Sequence, residues 1–227
     1  MNLRKYVVIL AISLMSAAPF AAAGAYDEES ANYTAAYESY IKAKKATNLK
    51  ESSDAYADAI SYVSRAVEEK PDNFDYLVLA SLIYRGKGGA SYAQNYFLRA
   101  EKIINEKIKE NPTDIESRIN RAILCYAGDG QFSDKAYKYR KEALKEANIV
   151  VNLCQKALKQ DPTSTGTRRA LALAYLIKGN KRECKKQLQL ASTESEADKF
   201  TLDLYEKIIG KNASDNEFLM YAMLGLN

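Results

Sequence analysis

The chain has 227 residues, of which 47% are hydrophobic and 27% charged, with no His, no Trp, four Pro and three Cys. The absence of His excludes Ser-His-Asp and Cys-His catalysis and any His-ligated zinc or haem site. Three Cys are too few for a disulfide scaffold or a four-Cys zinc site. Ten Gly and four Pro are too few for a turn-rich all-β chain, so the composition favours long helices.

Residues 1–25 have the pattern of a secretory signal peptide. Two basic residues, Arg4 and Lys5, precede an apolar run over 6–15, and small residues up to Ala25 offer a cleavage site. An uncleaved N-terminal anchor is the alternative interpretation, although the apolar run is short for a membrane span.

The rest of the chain, 26–227, is predicted to be a single helical domain, exported to the periplasm or the extracellular space. No Cys precedes Cys125, so none lies near the cleavage site to carry a bacterial lipid anchor. We expect no membrane span after cleavage, because no later segment is long and apolar enough. Removing Arg4 and Lys5 lowers the formal net charge from +4 to +2, which gives no argument for nucleic acid as a partner.

Three of the four Pro, at positions 71, 112 and 162, separate two helical stretches. Proline ends a helix because it has no N–H and restricts the residue before it. After Pro112, Thr113 and Glu116 match the capping-box pattern for the start of the next helix. The sequence predicts helices over 28–46, 52–69, 73–85, 90–110, 114–127, 133–160, 164–178, 180–191, 195–209 and 215–225.

Small and large apolar residues recur around these prolines at spacings of three, four and seven, which places each set on one helix face. Around Pro71 the set is Ala59, Val63, Ala66, Leu77, Ala80 and Tyr84. Around Pro162 it is Val150, Cys154, Ala157, Leu171, Ala172, Tyr175, Cys184, Leu188 and Ala191. Small residues at such positions allow paired helices to approach closely.

This series resembles the tetratricopeptide repeat (TPR), a helix-turn-helix unit of 34 residues. The best copy is 165–198, with Ala172, Tyr175, Gly179, Cys184, Leu188 and Ala191 on the family pattern. The prolines are 41 and 50 residues apart, so we assign the extra residues to long second helices at 90–110 and 133–160. The resemblance implies a right-handed α-solenoid of three to four antiparallel helix pairs, irregular at those long helices and closed by two C-terminal capping helices.

In TPR proteins the first helix of each pair lines a concave groove. On this chain the resemblance assigns nine residues to that groove, namely Val78, Leu82, Arg85, Ile119, Ile123, Tyr126, Arg169, Leu173 and Leu176. Because most of them are apolar, we expect the groove to bind an amphipathic helix or an extended apolar peptide. The chain's own last helix, with Phe218, Leu219, Tyr221, Ala222 and Leu224, is the alternative occupant.

Cys125, Cys154 and Cys184 fall at core positions of the repeat and are interpreted as small hydrophobic residues. Export would also permit a disulfide, for which Cys125 and Cys154 are the favoured pair because they lie in one repeat. The segment Gly86-Lys87-Gly88-Gly89 is predicted to be a turn, since it follows a helix and lacks the spacing of a phosphate-binding loop.

The 17 Tyr exceed an ordinary share, and they include Tyr33, Tyr37, Tyr40, Tyr56, Tyr62, Tyr92 and Tyr96. Their rings either fill the core with hydroxyls at its margin or form an aromatic wall for a peptide or glycan.

We expect a non-enzymatic scaffold that binds a protein or peptide partner in the bacterial cell envelope and needs no metal or cofactor. The alternative is an accessory protein that binds a small molecule or glycan for uptake. A carboxylate or Ser-Lys enzyme is a third interpretation, but no spacing singles out a catalytic pair.

Overall fold

The computed structural model describes residues 30–129, 136–194 and 202, and the regular elements within them are all helices. The all-α prediction is therefore confirmed for this part of the chain. The described helices are α1 Ala31–Lys45, α2 Leu49–Glu69, α3 Phe74–Gly86, α4 Ala90–Glu110, α5 Ile115–Asp129, α6 Ala136–Gln160, α7 Thr165–Ile177 and α8 Lys181–Ser192.

The long helices predicted over 90–110 and 133–160 are observed as α4, with 21 residues, and α6, with 25 residues. The predicted signal peptide lies outside the described residues. So do the two predicted C-terminal helices, apart from Leu202, which is helical. None of the described helices is both long and apolar enough to cross a membrane.

Backbone contacts divide the chain into two compact units, and the boundary between Lys107 and Ile108 falls in the last turn of α4. The first unit contains α1, α2, α3 and most of α4. The second contains α5 to α8.

The three prolines predicted to separate helices lie in turns with the same hydrogen bond. In each turn the carbonyl of the residue before proline accepts from the N–H two residues after it. These bonds are Asn73 N to Lys70 O at 3.1 Å, Asp114 N to Asn111 O at 3.2 Å, and Ser164 N to Asp161 O at 3.4 Å. Proline suits the second position of such a turn because its φ is already fixed.

The residue that closes each proline turn is also the N-cap of the next helix. The side chains of Asn73, Asp114 and Ser164 accept hydrogen bonds from the backbone N–H three residues later, at 3.1, 2.9 and 3.4 Å. Each bond satisfies an N–H that has no partner inside the helix. The expected cap at Thr113 is wrong by one residue, because the Thr113 hydroxyl donates instead to Asn111 at 3.0 Å.

Two other helices end in glycine turns. Gly88 follows α3 with a φ of 91°, and Gly179 follows α7 with a φ of 77°. In both turns backbone N–H groups donate hydrogen bonds to carbonyls of the last helical turn, from Gly89 N to Tyr84 O and from Asn180 N to Tyr175 O, each at 2.8 Å. The glycine segment after α3 is therefore a helix-ending turn, as the sequence indicates.

In the first unit, the two ends of α1 contact opposite ends of α2. The Asn32 side chain, near the start of α1, donates to the Glu69 carboxylate at the end of α2. The Ser52 hydroxyl, near the start of α2, donates to the Ala43 carbonyl at 3.1 Å. Hydrogen bonds from Ser30 and Asn32 also hold the pKa of Glu69 below its usual value.

The hydrogen bonds between α3 and α4 also join residues in opposite order along the two segments, so that a later residue of one contacts an earlier residue of the other. The Ser81 hydroxyl donates to the Ala93 carbonyl at 2.9 Å, and Arg99 Nη2 donates to the Pro71 carbonyl at 2.7 Å. Because α3 also packs against α1 and α2, it has neighbours on three sides within the first unit. Six consecutive α3 residues, 76–81, are at most 2% exposed as a result.

In the second unit, α7 packs against α5, α6 and α8. Its residues 169–174 are all buried, including Ala170, Ala172 and Ala174 with no exposed surface. Small side chains let the neighbouring helices approach α7, while Leu171 and Leu173 fill the space beside them. The facing helices contribute equally small residues, which include Ala122, Ala143, Ala147 and Ala191.

We predict that Asp114→Ala lowers the free energy of unfolding by about 1 kcal/mol, because it removes the cap of α5. Thr113→Ala is the matched control, and we expect less than half that loss, because its side chain is exposed and does not cap the helix. Urea unfolding followed by circular dichroism measures both. Equal losses would contradict the assignment of Asp114 as the cap.

Candidate functional site

The nine groove residues expected from the TPR resemblance lie on α3, α5 and α7. On α3, Val78 is 1% exposed, Leu82 is half-buried and Arg85 is exposed. On α5, Ile119 and Ile123 are fully buried, and Tyr126 is half-buried.

On α7, Leu173 and Leu176 are each 1% exposed and Arg169 is 6% exposed. A partner contacts only surface that solvent can reach, so the residues of this set open to direct contact are Leu82, Arg85 and Tyr126. The Tyr126 ring is itself covered on one side by the Arg140 guanidinium, whose central carbon lies 4.7 Å from the ring centroid. Such a cation–π contact holds the ring in place at the surface.

A buried ion cluster, which the sequence analysis missed, joins α5 to α6. The Glu146 side chain is 1% exposed, and its two carboxylate oxygens accept from Arg118 Nη1, at 2.7 Å, and from Arg121 Nη1. Arg121 Nη2 also lies 3.5 Å from Glu142. Arg118 Nε donates to the Pro112 carbonyl at 3.0 Å, which ties the cluster to the proline turn.

This cluster holds α5 and α6 in one register. Glu146 has a charged donor for each oxygen, so its burial is compensated by paired, hydrogen-bonded charge. Arg121 Nε is buried without a hydrogen-bond partner in the described part of the chain. The available sequence signal was two Arg three residues apart and two Glu four residues apart, since those spacings place each pair on one helix face.

Seven of the described tyrosines form ring contacts with one another, in a core group and a surface group. In the core, Tyr33 stacks on Tyr76 with ring centroids 4.7 Å apart, and Tyr40 meets Tyr56 edge-on at 6.2 Å. All four rings are buried, so packing accounts for this group. Burial also raises the pKa of the half-buried Tyr37 to about 12.

The surface group is a stack of three rings where α3 meets α4. Tyr84 stacks with Tyr92 and with Tyr96, at centroid distances of 5.2 and 5.5 Å. The Arg99 guanidinium lies 5.7 Å from the Tyr96 ring centroid. Burial, and then the neighbouring Tyr84, raise the pKa of Tyr96. Tyr92 is 64% exposed, so the stack ends in a ring that solvent can reach.

All three cysteines lie in the described part of the chain as buried thiols, and no disulfide joins Cys125 to Cys154 there. Burial raises the pKa of the Cys154 thiol to about 12. Because the thiolate is the reactive form, burial of this kind is typical of a structural rather than a reactive cysteine.

No group of three or more acidic or Cys side chains is placed to hold a metal ion among the described residues. Comparison of the chain with models of known protein families and with curated proteins finds no match.

We predict that Glu146→Gln lowers the free energy of unfolding by about 3 kcal/mol, because it leaves the largely buried Arg118 without a counter-charge and Arg121 with Glu142 alone. Glu142→Gln is the matched control on the same helix. The Glu142 side chain is 30% exposed, so its loss should cost less than about 1 kcal/mol. Urea unfolding compares the two, and a loss for Glu146→Gln no larger than the control's would contradict the role of the buried carboxylate.

Proposed function

We propose that this protein is a non-enzymatic, exported helical-repeat scaffold of the TPR type that binds another protein in the bacterial cell envelope. The observation that carries the proposal is the repetition of one helix–turn–helix junction. Pro71, Pro112 and Pro162 each lie in a turn with the same hydrogen bond and the same capping position. A repeated junction of this kind is how repeat proteins generate successive similar helix pairs.

The arrangement we propose is an irregular right-handed solenoid of antiparallel pairs with extended second helices. It is supported by the opposed contacts of α1 with α2 and of α3 with α4, and by the helix lengths. The helices α2, α4 and α6 have 21, 21 and 25 residues, against 13 to 15 for α1, α3, α5 and α7. Stacked pairs of this type present long surfaces to partners without forming a deep catalytic pocket.

For the partner-facing surfaces we propose the accessible members of the groove set, taken unit by unit: Leu82 and Arg85 in the first unit, and Tyr126 in the second. They offer an aliphatic side chain, a cation and an aromatic ring. Tyr and Arg are enriched at the energetic centres of protein interfaces. Each of these side chains combines an apolar part with a polar one. An amphipathic helix or an extended apolar segment matches this chemistry.

Site-specific photocrosslinking tests the protein-binding proposal. Benzoylphenylalanine placed at Leu82 or Tyr126 should crosslink the same protein in the cell envelope of the native host. Leu49 is the control position, because it is 91% exposed at the start of α2 and lies outside the groove set. Crosslinking from Leu49 alone, or from none of the three positions, would overturn the proposal.

A second candidate function is the binding of a small molecule or glycan, and the exposed tyrosine stack favours it. The outer face of Tyr92 is open to solvent, and Arg99 and Ser64 supply polar groups beside Tyr96 and Tyr84. Sugar rings stack on such aromatic faces while their hydroxyls bond to nearby polar groups.

If this second function holds, a neutral oligosaccharide from a ligand panel should raise the Tm of the chain by several degrees, since binding to the native state stabilises it. Tyr92→Ala should abolish the increase. Tyr137→Ala is the control, because Tyr137 is 82% exposed on α6 and outside the stack. No increase with any sugar, or one that survives Tyr92→Ala, would exclude the tyrosine stack as the site.

A further inference from the structure

The positive charge of the chain is concentrated in one stretch near the end of the described residues. Residues 150–192 contain nine Lys and Arg but only two acidic residues, Asp161 and Glu183, whereas the whole chain contains 33 basic and 29 acidic residues. This stretch covers the second half of α6, all of α7 and all of α8. The near-neutral charge of the whole chain therefore conceals a basic region in the second unit.

An open cleft of about 610 Å³ lies among these three helices. Lys156 and Lys159 border it from the end of α6, and Arg168 borders it from α7. Leu158, near the end of α6, and Tyr175, on α7, are half-buried and supply apolar surface. The cleft thus combines three cations with an apolar wall.

Arg168 occupies the same place in its proline turn as Arg118 does in the preceding one. Each is six residues after the proline, and each donates to that proline's carbonyl, Arg118 at 3.0 Å and Arg168 at 2.6 Å. Each also reaches the next helix of its pair through Nη1. Arg118 meets the Glu146 carboxylate at 2.7 Å, whereas Arg168 meets the Gln187 amide oxygen at 3.3 Å.

The Pro162 junction therefore keeps the arginine but has an amide, Gln187, where the Pro112 junction has a carboxylate, Glu146. Among the described residues, no carboxylate oxygen lies within 4.0 Å of a charged nitrogen of Lys156, Lys159 or Arg168, so none of the three forms an ion pair there. Arg168 is held in a fixed orientation by two uncharged acceptors, so its positive charge is positioned but not neutralised. A fixed cation of this kind favours an anionic ligand.

We propose that this cleft binds an acidic peptide segment of a protein partner, with its carboxylates on Lys156, Lys159 and Arg168 and an apolar side chain against Leu158 and Tyr175. The inference deepens the proposed protein-binding function and rests on it. It adds a second contact surface, on residues that lie outside the groove set.

Peptide is favoured over nucleic acid or phosphate by the neutral groups of the cleft. Asn152 and Gln155 on α6 and Gln187 on α8 border it, and an amide side chain both donates and accepts hydrogen bonds. A peptide backbone has both kinds of group to satisfy, whereas a phosphate diester is an acceptor only. The apolar wall likewise suits a side chain better than a sugar–phosphate backbone.

The test uses the full chain and two short fluorescein-labelled peptides, one alternating Glu with Leu and Tyr, the other with Gln in place of each Glu. Fluorescence anisotropy should detect binding of the acidic peptide, and the affinity should fall as salt screens the charges. Lys156→Glu with Lys159→Glu should weaken it by at least about tenfold, because two attractive charges become repulsive. Lys42→Glu with Lys45→Glu is the matched control, with the same charge change and spacing in the exposed last turn of α1.

Gln187→Glu provides an independent variant that is not expected to unfold the protein. It places a carboxylate opposite Arg168, as Glu146 stands opposite Arg118. This variant should raise the Tm and should weaken binding of the acidic peptide by about fivefold, because the new carboxylate neutralises Arg168 within the protein. A variant that raises Tm and leaves peptide affinity unchanged would overturn the assignment of Arg168.

Three further outcomes would overturn the inference: equal affinity for both peptides, equal loss in the Lys42 and Lys45 control, or selective binding of an oligonucleotide or of phosphatidylglycerol vesicles instead of the acidic peptide. The proposed function fails separately, through the photocrosslinking at Leu82 and Tyr126. If those crosslinks form but the peptide does not bind, the protein-binding proposal stands and the cleft inference alone is wrong.

Discussion

A helix with neighbours on three sides determines the organisation of each unit. In the first unit α3 contacts α1, α2 and α4, and in the second α7 contacts α5, α6 and α8. Successive residues of a helix point about 100° apart, so a run of six buried residues is possible only when the helix is surrounded. Residues 76–81 and 169–174 are such runs. Surrounding a helix this closely requires small residues at the crossings, which explains the alanines without exposed surface.

The same enclosure makes every polar group near these helices costly unless it is paired. Glu146 is buried and receives one Arg on each oxygen. Ser81, buried on α3, donates to a carbonyl of α4. The proline turns satisfy their groups in the same way, because an arginine donates to each proline carbonyl: Arg99 to Pro71, Arg118 to Pro112 and Arg168 to Pro162. Hydrogen bonds thus join each turn to the body of its unit as well as to the next helix.

The helices were predictable from the sequence because their limits are set by local signals. Proline, a capping side chain and glycine act within a few residues, and α4 begins and ends where the sequence predicts. The one-residue error at Thr113 arose because Asp114, Thr113 and Asn111 can all cap a helix, and only the turn geometry selects Asp114. The burial of Val78 and Leu173 was not predictable in this way. A helix face that looks available in the sequence is buried once the other helices of its unit pack around it.

The two proline junctions of the second unit, at Pro112 and Pro162, differ in the group that their arginine contacts on the next helix. Packing constrains the small residues, the caps and the arginine six residues after each proline, and both junctions keep these features. Stability alone would also favour a carboxylate opposite Arg168, as at Glu146, because it would neutralise a partly enclosed guanidinium. Gln187 instead preserves the geometry and omits the charge. A junction that keeps its turn, its cap and its arginine but has no carboxylate opposite that arginine leaves a positioned cation that favours an external anion.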